Sequence, residues 1–269
     1  MKTKFQWMFA AILICGLTVS VSSCKKEPAP KKTVLTGMEA TGVIMYDSIT
    51  YSYDYDAQCR LVRSLSRQTN DNYVLQDLRF TYADNSIRVE GTENDKVTTY
   101  NCTLDSEGRI THIERTSVSD DTLTNISRYD YTYNADGYLA SEYKASQPDS
   151  EGINSVYVWE GGELKAVNTE GGILSVEYET SDAPAQALFI NLGYDELAQL
   201  CAQGCFGKLP AHMPSKRTVI TTLPSPMPSL SVPFDYVYTT NADGRLATCT
   251  ETRSSDGGVA HYTFNWEER

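Results

Sequence analysis

One unit recurs along this chain: alternating aromatics, a polar turn, and a branched apolar residue that opens the next segment. Its clearest copy is Tyr129-Asp130-Tyr131-Thr132-Tyr133-Asn134-Ala135-Asp136-Gly137-Tyr138-Leu139. Side chains two apart in a strand point the same way, so Tyr129, Tyr131 and Tyr133 share one face. Asn and Asp initiate a tight turn, and Gly137 supplies the positive φ that a bulged hairpin loop requires. Leu139 then restarts the ladder opposite the aromatics, which gives cross-strand pairs. Such a unit folds as a β-hairpin and as little else.

Further copies run from Tyr51 to Leu61, with Tyr53 and Tyr55, and from Tyr100 to Ile110. Phe234 to Leu246 repeats Asn-Ala-Asp-Gly at 241–244, and Phe80 to Ile87 and Tyr157 to Leu164 are degenerate copies. Tyr262-Thr263-Phe264-Asn265-Trp266 shows the same alternation and reads as the last strand. The branched residues at 61, 87, 110, 139 and 164 leave room for one hairpin per interval. The expected fold is therefore all-β: an antiparallel up-and-down meander of about 13–16 strands. Open sheets of more than about 10 strands roll or split, so a strongly curled or partly closed barrel is expected first and two packed sheets second.

One segment breaks the period. Asp195 to Gly204 reads as a short helix near 194–203, with Leu197, Leu200 and Cys201 on one stripe and Gly204 at the C-terminal cap. It is expected to cover an open end or fill the concave side. Arg217 to Thr222 reads as a strand, and the prolines of 223–228 do not suit a sheet interior.

The start of the chain has a different logic. Lys2 and Lys4 precede an apolar run from about Phe5 to Val21, closed by Ser22-Ser23-Cys24. The run is short and interrupted for a membrane span of about 20 residues. It resembles the lipobox of bacterial lipoproteins, in which the cysteine is acylated and becomes the first mature residue. That resemblance implies a signal peptide at 1–24, a lipid attached at Cys24 and an outer-membrane location, on the periplasmic face or the cell surface. Residues 25–33 read as a flexible tether and 34–269 as a single β-meander domain. Without 1–24 the chain carries 21 basic and 35 acidic residues, a formal charge of −14. Phosphate binding needs clustered Lys and Arg, so nucleic acid is not an expected partner.

The five remaining cysteines cannot all pair within one chain. Cys201 and Cys205 are nearest, and a disulfide between them is expected only where Gly204 breaks the last helical turn. No metal site and no cofactor is expected: His112, His212 and His261 are dispersed, and Asn134-x-Asp136-Gly137 is turn chemistry rather than a calcium loop. Metalloprotease, nucleophile-elbow and phosphate-loop motifs are absent from the sequence.

Two family resemblances rest on these residues. The Tyr-Asp…Gly-Arg-Leu units look like the YD repeats of Rhs-type toxin shells. The helix, Cys205-Phe206-Gly207-Lys208 and then Met213-Pro214-Ser215-Lys216, followed by a Tyr/Asp-Gly hairpin, resemble the DUF4595 lipoproteins of Bacteroidota, which have a porin-like fold. The resemblance implies a barrel shape and a cell-envelope setting, with no assigned activity. The expected function is a non-catalytic binding or scaffold module for a glycan, an envelope protein or an apolar ligand. Tyr51, Tyr53, Tyr55, Tyr129, Tyr131 and Tyr133 are the candidate ligand-facing aromatics, with sheet packing as their ordinary role. Alternatives are a cell-surface carbohydrate-active enzyme, using carboxylates such as Asp54, Asp56, Asp120 and Asp121, and a hydrophobic-ligand carrier with a cavity beneath the helix.

Overall fold

The computed structural model describes residues 31–43, 46–93, 96–119, 122–147, 150–170, 174–185, 197–222 and 229–269. Among them sixteen antiparallel strands form one sheet that closes on itself. The strands are β1 (Thr33–Val43), β2 (Tyr46–Tyr55), β3 (Leu61–Gln68), β4 (Val74–Ala83), β5 (Ser86–Glu93), β6 (Lys96–Leu104), β7 (Ile110–Ser119) and β8 (Thr122–Tyr133). They continue as β9 (Leu139–Ala145), β10 (Ile153–Glu160), β11 (Glu163–Thr169), β12 (Leu174–Pro184), β13 (His212–Thr221), β14 (Leu230–Thr240), β15 (Leu246–Arg253) and β16 (Gly258–Glu268). Each strand pairs with the next in sequence, and β16 pairs with β1, from Thr33 opposite Glu268 to Thr41 opposite His261. The expected meander is present, its closure is complete, and the two-sheet alternative does not arise.

The turns of the repeats gather at one end of the barrel, and their geometry is shared. In four of them the first residue's Oδ1 accepts the backbone N–H groups two and four residues on: Asp56, Asp105, Asn134 and Asn241. The fourth residue is left-handed in every case, at Gly108, Gly137 and Gly244 with φ of 78°, 87° and 73°. In the first repeat Cys59 occupies that position at φ 58°, a conformation that strains a residue with a Cβ by about 1 kcal/mol or more.

A bulge beside each turn leaves one strand carbonyl outside the ladder, and the aromatics answer it. The Tyr55, Tyr82, Tyr133 and Tyr238 hydroxyls donate to the carbonyls of Leu35, Leu61, Ile110 and Pro214 at 2.8, 2.9, 2.6 and 2.8 Å. The Trp159 and Trp266 indole N–H groups donate to Leu139 and Leu246 at 2.7 Å each. All six acceptors sit where the register shifts. A bulge frees a polar group, and a buried polar group without a partner is costly. The last aromatic of each repeat therefore seals the bulge of the strand before it. Arg60, Arg109 and Arg245, each following a turn, lie over the rings of Tyr82, Tyr133 and Trp266 at 4.7, 4.4 and 5.6 Å.

The β12–β13 connection carries the one helix of the described residues, α1 (Ala198–Ala202). It is shorter than the expected span; Asp195 and Glu196, expected in its first turn, lie outside the described residues. Its end matches the expectation at Gly204. The Cys205 N–H reaches the Leu200 carbonyl at 3.0 Å, the Gly204 N–H reaches Cys201 at 3.0 Å, and Gly204 has φ 79°. This paired closure, with the glycine left-handed, satisfies the last helical carbonyls. Strand β13 begins earlier than 217 and takes in Pro214, which the bulge opposite Thr180 accommodates.

Candidate functional site

The interior of the barrel has two halves. At the turn end it is filled. Leu197, Leu200, Cys201, Cys205 and Phe206 are all buried in one cluster with Leu61, Ile110, Leu139 and Leu246. Backbone bonds fix the segment after α1 to the turns: the Ile110 N–H donates to Cys205 at 2.7 Å, and the Lys208 N–H donates to Gly137 at 2.9 Å. The Gln199 amide donates to the Tyr53 hydroxyl at 2.6 Å, which ties the helix to β2. A cleft beside α1, lined by Leu139, Trp159, Cys201 and Phe206, holds about 10 Å³, room for no more than a single water. Among the described residues the apolar stripe of α1 and Phe206 fill this space, and the larger hollow of about 550 Å³ beside Glu107, Arg109, Ala202, Gln203 and Lys208 opens to solvent instead of forming the enclosed apolar cavity of the carrier reading.

The candidate aromatics all face inward. Tyr53, Tyr129 and Tyr131 are buried, and Tyr51, Tyr55 and Tyr133 pack against the same cluster with part of each ring exposed. Tyr131 meets Phe206 edge-on at 5.4 Å. Tyr55 and Tyr133 are spoken for by the bulge carbonyls, so within the filled half these stripes hold the wall to the plug. Period two alone could not tell this inward packing from an open platform.

At the opposite end the inward side chains meet water. Leu174, Leu230 and Ile153 are exposed there, although register puts them on the inner face with Tyr178, Phe234 and Tyr129. Buried charge in this half is paired. Glu93 accepts from the Tyr100 hydroxyl at 2.7 Å and from Arg115 at 2.8 Å, and the Arg115 Nε donates to Tyr100 at 3.0 Å. Glu142, also buried, accepts from the Tyr157 hydroxyl at 3.1 Å. Arg217 is the exception.

The outer wall is charged along its height. Arg63 grips Asp77 through two bonds of 2.8 Å, Arg88 pairs with Glu90 at 2.6 Å, Arg128 and His112 both reach Asp130, and Lys216 pairs with Glu179. The Arg63 guanidinium holds the Asp77 carboxyl below the usual carboxylate range against the opposing effect of partial burial.

Of the carboxylates imagined for glycoside cleavage, the two that lie among the described residues are not brought together inside. Asp54 lies on the outer face opposite Arg63, Asp56 closes its turn by pairing with Arg60, and Asp120 and Asp121 lie outside the described residues. The histidines are as scattered as the sequence suggests: His112 meets Asp130, His212 meets Glu163, and His261 meets Thr250. Among the described residues no three His, Cys, Asp or Glu side chains gather as metal ligands.

The Cys201–Cys205 disulfide is a correction: both are free thiols, as are Cys59, Cys102 and Cys249. The helical closure at Gly204 spends the turn on carbonyl bonds and sends each sulfur separately into the core. Burial pushes the Cys205 thiol up to about 11 and those of Cys102, Cys201 and Cys249 up to about 12. A raised thiol stabilises the fold fully below its unfolded value near 8.5 and ceases to do so as pH rises through 11 to 12. Stability should therefore fall between pH 9 and 12. At pH 8, iodoacetamide should label, of the five barrel cysteines, only the half-exposed Cys59 in the native protein, and all five after unfolding. Mass spectrometry of the alkylated protein checks this, and rapid native labelling at Cys102 would contradict it.

A closed barrel of sixteen strands, filled at one end and wet at the other, defines a porin-like class of fold. Residues 47–248 match the model of the family described as a domain of unknown function (DUF4595) with porin-like fold, and the chain belongs to that family. A porin-like protein from Bacteroides uniformis superposes with a TM-score of 0.63 at 16% identity, covering 87% of this chain and 96% of that one. A porin-like protein from Bacteroides vulgatus gives 0.55 at 12% identity, covering 88% and 99%. At such identities the likeness is one of fold alone. No curated protein matches the chain.

Proposed function

We propose that this protein is a lipid-anchored, non-catalytic binding module of the outer membrane, held through acyl chains on Cys24 and engaging its ligand at the open end of the barrel. The observation that carries the reading is the combination of a filled end with a charged outer wall. A spanning barrel needs an apolar outer band, and each Arg or Lys at the bilayer midplane costs it about 2–4 kcal/mol. Arg63, Arg88 and Arg128, with their carboxylate partners, stand on the outer face of this barrel. Thr33, where β1 starts, is at the filled end, nine residues on from Cys24. An anchor at Cys24 leaves the open end free to face away from the bilayer. The inward Glu93 and Glu142 are already bonded to Arg115, Tyr100 and Tyr157, which supports a role without catalysis.

Expression in a Gram-negative host tests the anchor. The intact protein should incorporate labelled palmitate and sediment with outer membranes through a high-salt wash. Cys24→Ala should abolish the label and move most of the protein to the soluble fraction. Retention of the variant in washed membranes would sink the anchor, and glycan hydrolysis abolished by one carboxylate substitution would sink the non-catalytic role.

A further inference from the structure

The open half of the barrel contains a guanidinium whose buried Nε has no hydrogen-bond partner among the described residues. Arg217 faces inward on β13, in one row with Tyr178 on β12 and Phe234 on β14. Its guanidinium lies 4.3 Å over the Phe234 ring. Its Nε is buried and has no hydrogen-bond partner, and among the described residues it forms no ion pair. Every other buried or half-buried cation on this inner wall is engaged: Arg115 by Glu93 and Tyr100, and Arg253 by Asp256. An inward carboxylate, Glu251, lies two strands away on β15, opposite Tyr236 in the register. Burial raises the pKa of the Tyr236 and Tyr262 hydroxyls most, Glu251 raises it further and Arg217 lowers it, and among the described residues no ion pair joins the two charges.

The rows between Arg217 and the mouth are apolar. One step toward the open end, Val176, Val219 and Val232 lie side by side, with Val167 continuing the row on β11. The next step is Leu174, Thr221 and Leu230, where Leu174 is 36% exposed and Leu230 57%. A water-filled barrel normally lines its lumen with polar side chains. Here an apolar strip two rows deep runs from the mouth down to an unsatisfied cation. A buried donor without an acceptor costs about 1–3 kcal/mol, and the fork of an Arg matches a carboxylate through two parallel bonds.

We propose that this strip is a binding site for a carboxylate-bearing amphiphile. The head group pairs with Arg217 and the hydrocarbon lies on Val176, Val219, Val232, Leu174 and Leu230. The site is distinct from the packed space beneath α1, and it rests on the binding-module reading by naming the ligand class for the same open end. Charge complementarity selects the head group and the valine rows select the tail.

Isothermal titration with dodecanoate, dodecanol, dodecyltrimethylammonium and butyrate tests this in the full barrel. Dodecanoate should bind, the cation should not, and dodecanol and butyrate should each bind about tenfold more weakly or worse. Arg217→Gln should weaken dodecanoate about tenfold or more while leaving dodecanol unchanged. Leu230→Asp, at an exposed rim position that the fold does not need, should weaken both, and Arg88→Gln on the outer wall should change neither. Equal affinity for dodecanoate and dodecanol, indifference to Arg217→Gln, or no dodecanoate binding would overturn the proposal. Binding of an oligosaccharide at the open end in place of dodecanoate would overturn the amphiphile while leaving the binding module standing.

Discussion

Gly91→Ala is expected to cost the barrel about 3 kcal/mol or more. Gly91 faces inward on β5, between Leu78 on β4 and Thr98 on β6. A Cβ there would lie 1.8 Å from the Asp77 carbonyl oxygen, 2.8 Å from its carbon and 3.0 Å from the Leu78 Cα. All three are backbone atoms held by the β4–β5 ladder, so no rotamer change relieves the contact. A closed sheet has no free edge through which to relax, and Leu78 and Thr98 on either side are fully buried. Ordinary overpacking costs about 1–3 kcal/mol, and a displaced ladder adds to it. Urea unfolding followed by Trp159 and Trp266 fluorescence would measure the loss. Gly108→Ala is the control: nothing lies within 4 Å of its Cβ, so only the left-handed φ of 78° opposes it, at about 1 kcal/mol. Equal costs for the two substitutions would mean that β4 and β5 do not approach as closely as described.

Leu200→Ala should have the second large effect, and a local one. Leu200 is completely buried, packed among Leu197, Cys201 and Phe206, and removal of such a side chain costs about 3–5 kcal/mol. Alpha-helices of five residues have no stability of their own, so α1 persists only through this packing. The Leu200 carbonyl also accepts the Cys205 N–H that closes the helix. The filled end should therefore loosen before the wall does. Iodoacetamide should reach Cys201 and Cys205 in the folded variant, while Cys102 in the β5–β6–β7 wall stays protected. Continued protection of Cys201 would show that the wall, not the packing of Leu200, holds the helix.

The strands and their turns were legible because their causes are local. Tyr129, Tyr131 and Tyr133 share a face by backbone geometry alone, and Asn134 with Gly137 builds the same loop as Asn241 with Gly244. Gly204 marked the end of α1 for the same reason. What those tyrosines do was not legible. The Tyr133 hydroxyl bonds Ile110 on the preceding strand, a choice set by the bulge between β6 and β7. The disulfide expectation failed because the backbone closure at Gly204, and not the spacing of two cysteines, aims the sulfurs. Arg217 and Gly91 carried weak signals: a cation amid Thr and Val, and a glycine within an alternating run, which marks close backbone approach.

The amino-acid order by itself determined the repeated hairpins and the face each residue presents, because period-two alternation and asparagine–glycine turns act over a few residues, while it left the strand number at about 13–16. Closure, filling and the lone guanidinium were decided only in three dimensions. Leu35 meets Trp266 across the whole length of the chain because the accumulated twist of sixteen strands returns the last one to the first. That closure sets the interior volume, and the volume decides which half α1 fills and which half leaves Arg217 open to a ligand.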